Sequence, residues 1–77
     1  LNKKQLYQAI MQAYHDRHPD GLLTPVEVSQ IVRLSPKTLA TLRSRGGGPP
    51  AIKSGRRIFY RLDDVAAWFA GRSETTN

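Results

Sequence analysis

The sequence predicts a mainly α domain that carries one small β-hairpin. Three observations support this. Apolar residues recur at steps of three and four near both ends, two short segments each open on a hydroxyl residue followed by proline, and one strand-period segment precedes the last helix. A chain of 77 residues has room for one domain with one small core.

Residues 3–15, KKQLYQAIMQAYH, set Leu6, Tyr7, Ile10, Met11 and Tyr14 on one face of an amphipathic helix. Lys3 and Lys4 stand at its start, where the helix dipole disfavours cations, so this end is expected to fray. Pro19, Asp20 and Gly21 mark a turn. In LLTPVEVSQIVRL, Thr24 and Glu27 have the spacing of a capping box and Pro25 takes the first helical position. The helix runs from about 24 to 32, with Val28, Ile31 and Val32 inward.

After Arg33 and Leu34 the same grammar returns. Ser35 reads as an N-cap, Pro36 as the first helical residue, and Leu39 and Leu42 as the buried side. That leaves Lys37, Thr38, Thr41, Ser44 and Arg45 outward. Gly46, Gly47 and Gly48 stop the helix, and Pro49 and Pro50 prevent its continuation. Two capped helices around a short turn form a helix-turn-helix.

The period then changes. Ile58, Tyr60 and Leu62 alternate with Arg57, Phe59 and Arg61, and Ile52 and Lys53 can pair with them across Ser54-Gly55-Arg56. A two-stranded hairpin is unstable alone and has to lean on the helices. Asp63 is expected to cap a last helix, with Val65, Ala66, Trp68 and Phe69 facing the core and Gly71 ending it. The chain divides into an N-terminal helix and turn (1–20), the helix-turn-helix domain with its hairpin (21–72), and a polar tail (73–77) expected to be disordered. It opens on Leu1 rather than Met and is read as part of something longer.

Charge carries the functional signal. Net charge is +6, and between Val28 and Leu62 the charged residues are Arg33, Lys37, Arg43, Arg45, Lys53, Arg56, Arg57 and Arg61, with all six acids outside that window. Such polarisation fits a polyanion, most often nucleic acid, and the competing reading is a solvated face kept for solubility. A helix of this kind fits the major groove with its N-terminal residues at the base edges, which nominates Lys37 and Thr38, then Thr41 and Arg45, with Ser35 at the helix start and Arg43 toward the phosphates. The hairpin tip, Arg56 and Arg57, suits a minor groove, with Lys53 and Arg61 on its flanks. Charged edge protection is the plainer role for the same residues.

Other function classes find less support. The absence of cysteine removes disulfides, zinc thiolates and cysteine nucleophiles, and is compatible with the reducing cytoplasm, the expected location. His15 and His18 are too few for a metal site and read as solvated turn residues. Catalysis has no visible constellation: GGGPP lacks phosphate-loop spacing, and Asp63 and Asp64 suit a helix start. Nothing calls for a cofactor. No apolar run is long enough to span a membrane, and the basic window is not one face of a long apolar helix. Single-strand binding needs stacking aromatics, for which only Phe59 offers itself.

LLTPVEV, LSPKTL, KSGRRIFYR and DDVAAWF, in this order across residues 22–69, resemble the excisionase-type and MerR-like winged helix-turn-helix domains. The junction RGGGPP is longer and richer in glycine than the usual one, and the N-terminal helix lies outside the shared core. The resemblance implies sequence-specific binding of double-stranded DNA, with the helix at 36–45 in the major groove and the hairpin at 52–61 as a wing toward the minor groove. It also implies a role as an excisionase that bends DNA for a recombinase, or as a small transcription regulator. A rival from another class is a protein-interaction module docking an acidic partner, such as a recombinase. The N-terminal helix has two readings: it packs on its own domain, over Phe59, or it forms a homodimer contact.

Overall fold

The computed structural model describes residues 2–74. Helix α1 spans Lys3–His15, α2 Pro25–Val32, α3 Pro36–Ser44 and α4 Leu62–Glu74, with strands β1 Leu22–Leu23, β2 Ala51–Ser54 and β3 Arg57–Arg61.

Local chemistry sets most of these limits. Thr24 and Glu27 form the expected capping box: the Thr24 hydroxyl accepts from the Glu27 N–H, and Glu27 Oε1 accepts from the Thr24 N–H at 2.8 Å. A second box, not anticipated, starts α1, where the Asn2 side chain accepts from the Gln5 N–H at 2.8 Å and Gln5 Oε1 accepts from the Asn2 N–H. Two of that helix's orphan donors are therefore satisfied beside Lys3 and Lys4. At the far end of α2, Arg33 turns left-handed with φ +58°.

The hairpin is the middle and edge of a three-stranded antiparallel sheet in the order β1-β3-β2. Leu22 pairs with Arg61 and Leu23 with Tyr60, an addition the sequence reading did not contain. A two-residue strand has no period to detect. The reversal is tighter than expected, because Ser54 pairs with Arg57 and leaves Gly55 and Arg56 as the whole turn. Gly55 has φ +61°, as the first position of a type II′ reversal demands.

Two corrections concern α4. It begins at Leu62, so Asp63 lies inside the first turn instead of capping it, and its carboxylate accepts the neighbouring Asp64 N–H at 2.9 Å. Asp63 and Asp64 still complement the positive end of the helix dipole. The helix also runs through Gly71 to Glu74, so Ser73 and Glu74 are helical, while the rest of the expected tail, 75–77, lies outside the described residues. Gly71 lacks the positive φ that would turn the chain away, and no proline follows it.

All these elements share one core. Leu23, Val28, Tyr60, Val65 and Ala66 are fully buried, with Leu39 and Leu62 almost so, each large side chain contributing about 1.5–3 kcal/mol. Helix α1 packs principally along α4 and buries Ile10 in that core, with Leu6, Tyr7, Met11 and Tyr14 packed against it. Phe59 is not beneath α1; it lines a shallow cleft with Thr24, Pro25 and Ile58. A helix-turn-helix backed by a sheet whose β2–β3 hairpin projects as a wing is a winged helix-turn-helix.

Candidate nucleic-acid interface

Helix α3 is held by Leu39, which is 1 % exposed, and by half-buried Leu42. Anchoring that side turns Lys37, Thr38, Thr41, Ser44 and Arg45 outward, and all five are exposed. Ser35 caps the helix by accepting from the Thr38 N–H at 3.1 Å, and its hydroxyl donates to Thr38 Oγ1 at 2.9 Å. Thr38 therefore keeps its own O–H proton for an external acceptor. Thr41 donates its proton to the Lys37 carbonyl at 3.0 Å, and Ser44 donates to the Thr41 carbonyl. What Thr41 offers outward is a methyl group and an acceptor lone pair. Among the described residues, Lys37 and Arg45 have no hydrogen bond or ion pair from their side chains.

The C-terminal end of α3 is closed by glycine. The Gly46 N–H donates to the Arg43 carbonyl at 3.1 Å and the Gly47 N–H to the Leu42 carbonyl at 2.8 Å, with Gly46 at φ +78°. These are the two bonds of a Schellman motif. The chain then passes Gly48 and reaches buried Pro49, which starts the approach to the wing.

Arg43 differs from its neighbours. It is half-buried, and its Nη1 donates to the Tyr60 hydroxyl at 3.0 Å, tying α3 to β3. This link joins residues 17 apart in sequence. Neither helical period nor strand period marks it, and the only signal was a tyrosine on an inward strand position, whose hydroxyl needs a partner when buried.

Side chains alternate across a strand and cross-strand partners share a face, so the register sorts the wing cations. Lys53 pairs with Ile58 and lies on the same face as Tyr60, toward the helices. Arg57 and Arg61 lie on the opposite face with Phe59, and Arg56 occupies the tip. All four cations are exposed. Arg61 Nε lies 3.5 Å from Asp63 Oδ1 across solvent, and an exposed pair of this kind contributes little. The sequence-predicted residues thus form two groups, one on the outward surface of α3 and one spread over both faces of the wing.

That outer sheet face is also apolar in part. Leu22 is 36 % and Ile52 39 % exposed, and they line an open cleft of about 450 Å³ with Met11, His18 and Arg61. His18 is not a solvated turn residue as expected: its side chain is 13 % exposed, with Nε2 3.2 Å from Glu27 Oε2. His15 does remain exposed. No group of three or more His, Cys, Asp or Glu residues able to hold a metal occurs among the described residues, and no described helix is long and apolar enough to cross a membrane.

No curated protein matches the chain. A family model does: the one described as "Helix-turn-helix domain" covers residues 22–73, from β1 through the wing and nearly all of α4. With capped α2 and α3 around a tight turn, an outward basic surface on α3 and a match across more than half its length, the chain belongs to the helix-turn-helix domain family, a DNA-binding family.

Proposed function

We propose that this protein binds double-stranded DNA sequence-specifically, with α3 in the major groove and the wing at the minor groove, as an excisionase-like accessory factor or a transcription regulator. The observation that carries this reading is the outward surface of α3. Lys37 and Arg45 present cations without an internal partner, Thr38 presents a free donor, and no acid occurs between Val28 and Leu62. Lysine and threonine at the start of a groove-bound helix meet base acceptors and thymine methyl groups. The split of wing cations over two faces supports a ribbon that straddles a groove, because the two phosphate strands flank it on opposite sides. Ser35 contributes chiefly by setting the helix start, and Arg43 keeps further guanidinium donors for a phosphate beyond the one given to Tyr60.

The test is selection of bound fragments from a random duplex pool, followed by titration of the selected and an unrelated duplex across salt. Affinity should fall with a log-log slope of about one per phosphate contact. Arg56→Ala or Arg57→Ala should weaken both duplexes alike, whereas Lys37→Ala or Thr38→Ala should erode the preference between them by about 1–3 kcal/mol. A paired, symmetric selected site would report a homodimer on DNA. Equal binding of both duplexes by every variant would overturn the reading.

A second reading has its own observation. Exposed Leu22 and Ile52 beside Arg57 and Arg61 suit an acidic, partly apolar protein partner such as a recombinase. Leu22→Ser, outside the wing and without a change of charge, would abolish capture of that partner and leave duplex affinity nearly unchanged.

A further inference from the structure

Both helices of the helix-turn-helix end on a left-handed residue, with the N–H of the next residue closing the last turn, but the left-handed residue differs. At the end of α3 the left-handed position belongs to Gly46, φ +78°. At the end of α2 it belongs to Arg33, φ +58°, whose N–H donates to the Ser29 carbonyl, which also accepts from the Leu34 N–H at 3.1 Å. Arg33 is the one non-glycine residue at positive φ among the described residues. A Cβ in this conformation crowds the carbonyl oxygen, which is why glycine dominates such positions and arginine is disfavoured.

The turn closes the helix through these backbone bonds, which a glycine would make without the strain, and the Arg33 side chain adds no internal contact in return. Arg33 is exposed, and among the described residues its guanidinium has no hydrogen bond, no ion pair and no aromatic ring beneath it. The stretch around it contains no acid to pair with. Strained backbone without an internal return is the kind of outlier that points to function. Its location fits such a function. Arg33 lies two residues before Ser35, the cap of α3, so its Cα sits within about 7 Å of the helix start. In that position a long cation can reach beyond the turn toward whatever polyanion the helix approaches.

We infer that Arg33 contacts the phosphodiester backbone of duplex DNA beside the entry of α3, and that it occupies a left-handed turn position at a cost to stability for that reason. This rests on the duplex-binding reading and adds a contact outside the recognition surface and the wing. It makes a signature that neither a structural nor a passive surface residue would produce: one substitution raises stability and lowers affinity.

The full chain and its Arg33→Gly, Arg33→Ala and Arg33→Lys variants would be melted and titrated against the selected and unrelated duplexes at several salt concentrations. Arg33→Gly should melt about 4 °C higher than the parent. It should bind both duplexes about tenfold more weakly at moderate salt, with the salt slope reduced by about one. Arg33→Ala should lose affinity equally without the gain in melting temperature, and Arg33→Lys should retain the slope. Unchanged affinity and slope in both the glycine and alanine variants, while the parent binds duplex normally, would overturn the inference and leave the duplex reading intact. So would a lower melting temperature for glycine than for alanine. A parent protein without salt-dependent duplex binding would instead remove the underlying reading, and this contact with it.

Discussion

Tyr60 has no exposed surface, yet its hydroxyl accepts a hydrogen bond from Arg43, so the core and helix α3 meet at one oxygen. Replacing Tyr60 by Phe keeps the ring and removes the acceptor. The expected result is a loss of about 1 kcal/mol in urea unfolding, with the m-value unchanged. The freed Arg43 would then raise affinity for any duplex slightly, and a large drop in affinity would show that the link positions α3. At this scale the sequence is legible where partners are close. Thr24 and Glu27 announce their capping box by spacing, and Ser35 its cap by the proline after it. Asn2 and Gln5 have the same spacing, and their box forms even though Lys3 and Lys4 oppose the helix dipole beside it. The Arg43–Tyr60 bond and the His18–Glu27 contact lie beyond local pattern, because folding alone brings their partners together.

Among the elements, α4 shows how packing overrides a local stop signal. Its Gly71 was expected to end the helix, yet the helix continues through it against α1. A Cβ added there would meet only the end of the Lys3 side chain, at 3.9 Å, an ordinary contact. Gly71→Ala should therefore stabilise the protein by about 0.5–1 kcal/mol, read from thermal or urea unfolding, with no change in duplex affinity. The same change at Gly55, φ +61°, should destabilise the wing turn, since an L side chain rarely adopts that conformation. The four helices and the hairpin were legible because each buries one face and so repeats at a regular interval. Strand β1 was not, since Leu22 and Leu23 acquire meaning only when Arg61 and Tyr60 arrive beside them. The stripe on α1 was legible as apolar but not as to what covers it, and α4 supplies that cover.

Across the whole molecule, the exposed cations of α3 and the wing have few internal neighbours of opposite sign, so in the absence of a partner they repel one another. Repulsion of this kind extends about 30 Å in 10 mM salt and about 8 Å in 150 mM. The free protein should consequently melt a few degrees higher as salt is raised over that range, while its grip on duplex DNA loosens by orders of magnitude. Calorimetry with and without DNA in the two buffers would reveal the crossing, and parallel trends would show that the cations are already compensated within the fold. In dilute buffer, then, the unliganded molecule is the fragile species, and any nucleic acid carried through purification would pass for intrinsic robustness.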